Sequence, residues 1–188
     1  TINFPSISVG ATENALLAAF NAKGKTILKN CAIEPEIKDL IKFLKKLGSD
    51  ISLKGRTISI SESKTKSSKV THHVIFDRIE LGTYMIASAL LAKKNLTIDK
   101  IEPKIVKSEL SVLKKIGVQI KQKKNSIIIK KAKKLKNINI ITKPYPGFPT
   151  DLQAQLMVIL TQAKGISRIK ENIFENRFMH VPELKRMG

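Results

Sequence analysis

The chain has 188 residues, of which 42% are hydrophobic, and 35 lysines and arginines against 15 acidic residues give it a formal charge of +20. This length is enough to bury a core in one domain or in two small ones. The longest apolar runs, such as residues 85–92, are far shorter than the roughly 20 residues of a membrane span, which excludes that class, and a single cysteine excludes a disulfide framework and fits a reducing cytosol.

The positive charge suggests nucleic-acid binding, because lysines neutralise phosphates and release counterions. However, the lysines are spread over almost every predicted helix and hairpin, no aromatic stacking platform is interleaved with them, and no helix-turn-helix, zinc-finger or RNP-like pattern occurs. Three interpretations of the charge stay open at this stage. The chain is a basic, repeat-built binding module for nucleic acid without catalysis, its lysines reflect a Lys/Ile/Asn-rich composition bias on solvated faces, or a few of them line a basic cleft for small anionic substrates.

The first predicted element is a helix over residues 14–22, preceded by the segment FPSISVGATEN at 4–14. Small hydroxyl residues and a glycine before a helix leave backbone amides open at its N-terminus, which favours a phosphate or diphosphate. The segment lacks the G-x-x-x-x-G-K pattern of a P-loop, and an ordinary N-cap explains the same residues. Both interpretations stay open.

The rest of the first unit is a strand over 26–29, an amphipathic helix opened by Pro35 and ended by Gly48, and a hairpin over 51–60 in which apolar and polar residues alternate. A second unit repeats this order. It has a helix over 82–92, a strand over 96–98, a helix over 103–116 and a hairpin over 118–129.

The chain therefore contains an internal repeat of about seventy residues. In each unit a Lys/Leu-rich helix ends at an apolar residue followed by glycine. These pairs are Leu47-Gly48, Ile116-Gly117 and Met187-Gly188. Polar, lysine-rich connectors at 62–69 and 130–136 separate the units and are the best candidates for linkers.

In the third unit, the proline-punctuated loop at 145–149 runs directly into a predicted helix. Thr150 and Gln153 have the spacing of a capping box, which predicts that their side chains fix the helix start. Asp151 then lies in the first turn, where the helix dipole favours the anion, and the prolines stiffen the loop that presents it. Asp151 is either an ordinary residue of a helix start or a carboxylate presented for chemistry.

The third unit also has strands at 139–141 and 166–169, and it breaks the repeat pattern at 173–182. Pro182 shortens the last helix, predicted over 181–187. The segment before it gathers two phenylalanines, a carboxylate, an amide and a guanidinium, which either hold a polar ring or are core residues beside a surface ion pair. Such a departure from a repeat is where a functional site is expected.

Five stretches, in order and spacing, resemble the UDP-N-acetylglucosamine enolpyruvyltransferase family: SVGATEN at 8–14, EPEI at 34–37, DRIELGT at 77–83, YPGFPTDLQAQ at 145–155 and FENRFMHV at 174–181. The resemblance covers the whole chain, and the last two stretches are specific to that family. The related enolpyruvylshikimate phosphate synthases share the repeat architecture, but their shikimate-site motifs do not occur here.

The resemblance implies an α+β enolpyruvyltransferase fold, an inside-out α/β barrel built from repeated βαβαββ units in two domains that close on substrate. Residues 1–75 would be the last repeat unit of the first domain, and residues 76–188 the first, incomplete part of the second, with the crossing at 71–80. The chain is expected to be an internal piece of a longer cytoplasmic enzyme. The rest of that enzyme would be its partner, with no membrane or nucleic-acid partner.

The family transfers the enolpyruvyl group of phosphoenolpyruvate to the 3′-hydroxyl of UDP-N-acetylglucosamine and releases phosphate, the first committed step of peptidoglycan synthesis. The resemblance implies that Asp151 contacts this hydroxyl and takes its proton, that the backbone of Ile173 contacts the substrate, and that Arg177 holds anionic groups. Four residues fall on the family's nucleotide-binding strand end, in the same cleft as Asp151: Ser6, Ile7, Ser8 and Val9.

Three departures limit this expectation. Ser6 replaces a residue that is often basic in relatives. The family's mobile loop with its reactive cysteine, its phosphoenolpyruvate-binding Lys-Asn pair and further arginines lie outside this chain, so the chain is expected to be inactive alone. Cys31 is not that cysteine and is expected to be a small buried residue, while His72, His73 and His180 form no metal-ligand pattern. We expect no metal and no cofactor.

Overall fold

The computed structural model describes residues 1–62 and 69–188 and divides into two compact units, Thr1–Ile75 and Phe76–Gly188. From here on, the first unit is Thr1–Ile75, which contains the first of the three sequence repeats, and the second unit is Phe76–Gly188, which contains the other two. Each of these two units has its own hydrophobic core. The predicted linker at 62–69 lies almost wholly outside the described residues. In the described part of the chain, no helix combines the length and the apolar character needed to cross a membrane.

The first unit follows the βαβαββ order. Its elements are β1 (Ile2–Asn3), α1 (Val9–Phe20), β2 (Lys25–Lys29), α2 (Pro35–Lys46), β3 (Asp50–Lys54) and β4 (Thr57–Ser61). The strands form one sheet in the order β1-β2-β4-β3, in which β1 and β2 are parallel and β4 is antiparallel to both of its neighbours. The predicted second helix and hairpin are confirmed.

The core of this unit follows the two expected periodicities. In α2, Ile37, Ile41 and Leu44 are buried at helical spacing, and in β4 Ile58 and Ile60 are buried at a spacing of two. Burying these side chains removes apolar surface from water, at about 25 cal/mol per Å², and holds the helices against the sheet.

The first helix starts earlier than predicted, at Val9 and not at residue 14. Ser8 has extended backbone angles, and its Oγ accepts a hydrogen bond from the Ala11 amide at 3.2 Å, which makes it the N-cap. The buried Thr12 hydroxyl donates to the Ser8 carbonyl and accepts from the Ala32 amide at 3.0 Å. This long-range bond ties the first turn to the segment after β2, so the helix includes residues that the sequence pattern placed before it.

We predict that Ser8→Ala destabilises this unit by about 1 kcal/mol, because the substitution leaves the Ala11 amide without its cap. Urea unfolding followed by circular dichroism measures the loss. Ser6→Ala is the matched control, since Ser6 is exposed and lies before the cap, and it should change stability by less than about 0.5 kcal/mol. Equal losses in the two variants would contradict the capping role.

The second unit begins with α3 (Arg78–Leu91), which Asp77 caps through Oδ1. A three-stranded antiparallel sheet follows, with the order β5 (Leu96–Asp99), β7 (Ser126–Ile129) and β6 (Ile120–Gln122). The helix predicted over 103–116 is divided into a 3-10 turn, Pro103–Val106, and α4 (Lys107–Lys115). The predicted strand and hairpin are confirmed.

The remainder of the second unit consists of β8 (Asn139–Ile141), a 3-10 turn at Thr150–Leu152, α5 (Gln153–Thr161), β9 (Arg168–Lys170) and α6 (Val181–Arg186). β8 and β9 pair in parallel with α5 between them, as β1 and β2 do with α1 between them. Met85, Leu152 and Leu156 are fully buried in the core that α3 and α5 share.

The repeat inferred from the sequence also appears in the backbone. Gly48, Gly117 and Gly188 follow the ends of α2, α4 and α6 with φ angles of 107°, 101° and 94°, a conformation that favours glycine. α6 has 6 residues where α2 has 12, so the shortening predicted from Pro182 is confirmed.

The connector at 130–136, a predicted linker, is instead held within the second unit. The Ala132 amide donates to the Ala89 carbonyl of α3 at 2.8 Å, and the Lys136 amide donates to the Ile116 carbonyl at 2.9 Å. Backbone bonds therefore pack this lysine-rich segment against two helices, which local composition does not reveal.

Candidate functional site

The structure brings two of the predicted site residues together in the second unit. Arg177 Nη2 donates a hydrogen bond to Asp151 Oδ1 at 3.0 Å, with the side chains 38% and 50% exposed. The Arg177 guanidinium also lies 4.8 Å from the centre of the Phe174 ring. An ion pair this exposed adds little to the stability of the fold, and it leaves both the carboxylate and the guanidinium accessible to solvent.

Asp151 lies in the 3-10 turn that precedes α5, and the predicted capping box is wrong. No side chain caps this turn, because the Thr150 hydroxyl donates to Glu171 Oε2 at 2.8 Å. The Gln153 side chain is buried in the interior at 1% exposure. A distant carboxylate therefore fixes the turn that carries Asp151.

Sequence reasoning missed Glu171, which follows β9 directly. Its Oε1 accepts from the amides of Ile173 at 2.7 Å and Phe174 at 3.2 Å, while its Oε2 accepts from Thr150. Burial alone would raise the pKa of Glu171, but the hydrogen bonds from Ile173, Thr150, Thr142 and Phe174 together lower that pKa below its ordinary value of 4.5. The available sequence signal was a glutamate placed between a strand and the irregular segment.

The loop before Asp151 is held by its own backbone and by α4. The Lys143 amide donates to the Phe148 carbonyl at 3.0 Å, and the Gly147 amide donates to the Pro144 carbonyl at 2.9 Å. The Ser108 hydroxyl donates to the Gly147 carbonyl at 3.0 Å. A Cβ at Gly147 would lie 2.4 Å from Lys143 Cβ, so only glycine fits there. These contacts support the prediction of a stiff presenting loop.

Four other predicted binding residues lie in the first unit, whereas Ile173 lies in the second, where its amide donates to Glu171 Oε1. β1 ends at Asn3, so the placement on a strand end is wrong: Ser6 and Ile7 lie in the following loop, Ser8 is the cap of α1, and Val9 is its first residue. Moreover, one of the helix amides predicted to be open already bonds to the Ser8 hydroxyl. That these residues share a cleft with Asp151 stays a prediction.

Two other reactive side chains, Cys31 and His72, lie in the first unit. Cys31 is fully buried, as predicted, and burial raises the pKa of its thiol despite a backbone hydrogen bond involving Ile58. His72 Nε2 lies 3.0 Å from Asp39 Oδ2. Among residues 1–62 and 69–188, no three His, Cys, Asp or Glu side chains are grouped as metal ligands.

Comparison with known proteins identifies the family. The family model described as EPSP synthase (3-phosphoshikimate 1-carboxyvinyltransferase) matches residues 1–188. The chain belongs to this family. Within the EPSP synthase family it is 57% identical over 187 residues to the UDP-N-acetylglucosamine 1-carboxyvinyltransferase of Pelagibacter ubique, and 48% identical over 187 residues to that of Halothermothrix orenii. These alignments cover 100% of the chain but only 45% and 44% of the relatives, so the chain spans less than half of their length.

Solved structures agree with this family. The enolpyruvyl transferase NikO from Streptomyces tendae matches 95% of the chain, and 43% of its own, with a TM-score of 0.85 and 28% identity. EPSP synthase from Acinetobacter baumannii matches 100% of the chain and 44% of its own with a TM-score of 0.67 at 18% identity, which shows the fold alone. The predicted enolpyruvyltransferase fold and the resemblance to UDP-N-acetylglucosamine enolpyruvyltransferases are confirmed, and the alternative of a nucleic-acid module finds no support.

Proposed function

We propose that the chain is part of a cytoplasmic enzyme that transfers the enolpyruvyl group of phosphoenolpyruvate to the 3′-hydroxyl of UDP-N-acetylglucosamine, in peptidoglycan synthesis. The observation that carries the proposal is the half-exposed Asp151 carboxylate. It lies beside Arg177, in a turn that the hydrogen bond between Thr150 and Glu171 holds in place. The names of relatives up to 57% identical support this choice of acceptor.

In the proposed reaction, Asp151 accepts the proton of the sugar hydroxyl while the hydroxyl oxygen forms a bond to C2 of phosphoenolpyruvate, and the π pair of the double bond takes up a proton at C3 from a group in the rest of the enzyme. C3 then gives up a proton and the double bond re-forms as the bond between C2 and the phosphate oxygen breaks, so that phosphate leaves with its electron pair. Carboxylates are weak bases compared with a deprotonated hydroxyl, so accurate placement of the two oxygens has to supply much of the acceleration. A turn held in one position by side-chain hydrogen bonds suits this role.

The other residues complete the proposal. Arg177 would hold anionic groups of the substrates, since a guanidinium donates paired hydrogen bonds to phosphate or carboxylate. Ser6, Ile7, Ser8, Val9 and the backbone of Ile173 would bind the nucleotide sugar. We further propose that residues 1–75 are the last repeat unit of one domain and residues 76–188 the first part of the other. The rest of the enzyme would supply the remaining groups.

The test uses the whole enzyme with phosphoenolpyruvate and one acceptor at a time, UDP-N-acetylglucosamine or 3-phosphoshikimate, and measures phosphate release. We expect release above background with the nucleotide sugar alone. Transfer to 3-phosphoshikimate alone would contradict the proposed acceptor, while the absence of transfer to either would contradict the reaction class. DNA binding that falls steeply with salt and ignores UDP-N-acetylglucosamine would favour the nucleic-acid alternative.

A further inference from the structure

The Glu171 side chain joins the two segments that carry the proposed reacting groups. Its Oε2 accepts from the hydroxyl of Thr150, the residue directly before Asp151. Its Oε1 accepts from the amides of Ile173 and Phe174, which begin the loop that leads to Arg177. The Glu171 carboxylate is thus hydrogen-bonded both to the turn that carries Asp151 and to the start of the loop that leads to Arg177.

A third segment is attached at the same place. Thr142 follows β8 and is fully buried. Its hydroxyl accepts a hydrogen bond from the Asn172 amide at 3.0 Å. The same side chain also forms a hydrogen bond with Glu171. The loop after β9 is therefore bonded to the segment after β8 and to the turn before α5. A carboxylate with several hydrogen-bond donors around it is suited to hold such a junction, because it accepts through both oxygens.

We infer that Glu171 is a positioning residue that sets the placement of Asp151 relative to Arg177 in the transfer reaction. The inference rests on the proposed function. Without the carboxylate, the 3-10 turn and the loop after β9 lose their shared anchor, and each can shift. A displacement of about 1 Å at a reacting group can lower a rate about 100-fold, even though Glu171 itself touches no substrate in this scheme.

The charge state of Glu171 fits this role. Its hydrogen bonds outweigh burial and lower its pKa, so the carboxylate stays ionised at neutral pH and offers only acceptors. Glutamine at this position keeps a carbonyl oxygen for the two loop amides, and its NH₂ group can donate to the Thr150 oxygen. Alanine removes every contact. The two substitutions therefore differ in how much of the junction they keep.

The test compares Glu171→Ala and Glu171→Gln in the whole enzyme with UDP-N-acetylglucosamine and phosphoenolpyruvate. We expect Glu171→Ala to lower kcat about 100-fold with KM for the nucleotide sugar changed less than about 3-fold, and Glu171→Gln to recover at least about 10-fold of that loss. Asn172→Ala is the matched control, because its exposed side chain is removed while its backbone amide remains, and it should retain wild-type kcat.

A second set of variants keeps the inference falsifiable if Glu171→Ala does not fold. Thr150→Val removes the hydroxyl without changing the shape of the side chain and should lower kcat about 10-fold, whereas Thr150→Ser should not. Where both single variants fold, the double variant Thr150→Val with Glu171→Ala should be no slower than Glu171→Ala alone, since both act through one contact.

The outcomes separate this inference from the proposed function. If Asp151→Asn inactivates the enzyme but Glu171→Ala or Thr150→Val keeps wild-type kcat, the positioning role of Glu171 is overturned. The proposed function is then left intact. A loss in Glu171→Ala that Glu171→Gln does not relieve, or a fully additive double variant, also overturns the positioning role. Normal turnover in Asp151→Asn instead removes the proposed base, and with it the group that Glu171 is said to position.

Discussion

Asp151→Asn in the whole enzyme is expected to lower kcat roughly 10² to 10⁴-fold while binding of UDP-N-acetylglucosamine stays within a few fold, as measured by steady-state kinetics and calorimetry. Asparagine has the size of aspartate, and its Oδ1 can still accept the hydrogen bond that Arg177 donates at 3.0 Å. The geometry of the turn is therefore kept, while the ability to take a proton is lost.

The matched control for this prediction is Asp99→Asn, which makes the same change of charge at an exposed position of β5 in the same unit. It should leave kcat unchanged, because it lies outside the contacts that hold the candidate site. Turnover of Asp151→Asn close to wild type would show that another group takes the proton, and a fall in nucleotide-sugar affinity equal to the fall in rate would show that Asp151 binds substrate without acting as a base.

The parts of the fold that could be predicted from sequence are those with local signals. α2 has Pro35 at its start, Gly48 just beyond its end and apolar residues at helical spacing between them. The start of α1 was misplaced although its Ser8 cap is a local signal, whereas the bond from the Ala32 amide to Thr12 that secures its first turn joins residues 20 positions apart and has no local signal. β1, with 2 residues, is too short to show a period.

The candidate site divides in the same way. The motifs that resemble the family identified Asp151 and Arg177, but their contact across 26 residues has no local signature. The predicted capping box is wrong because the Thr150 hydroxyl bonds to a different group. It donates to the carboxylate of Glu171, 21 residues further on, and does not cap the helix start. Spacing rules describe the hydrogen bonds that a side chain can form within one turn of a helix. They contain no information about a carboxylate, which is a stronger acceptor, that tertiary folding places beside the same side chain.

Gly117→Ala is expected to destabilise the second unit by about 2 to 5 kcal/mol, measured by urea unfolding followed by circular dichroism. Two effects add. Gly117 has a φ of 101°, which disfavours a side chain by about 1 to 2 kcal/mol. In addition, an added Cβ would lie 2.8 Å from the carbonyl oxygen of Lys134, which forces the packed connector to move at a cost of about 1 to 3 kcal/mol.

Gly24→Ala separates the two effects, because Gly24 also has a positive φ, 76°, but an added Cβ there meets nothing within 4 Å. It should lose only the conformational part, about 1 to 2 kcal/mol. Lys134→Ala should not rescue Gly117→Ala, since the clash involves the backbone of Lys134 and not its side chain. Equal losses at Gly117 and Gly24 would mean that the connector yields freely, in which case the bond from Lys136 to the end of α4 does not hold it in place.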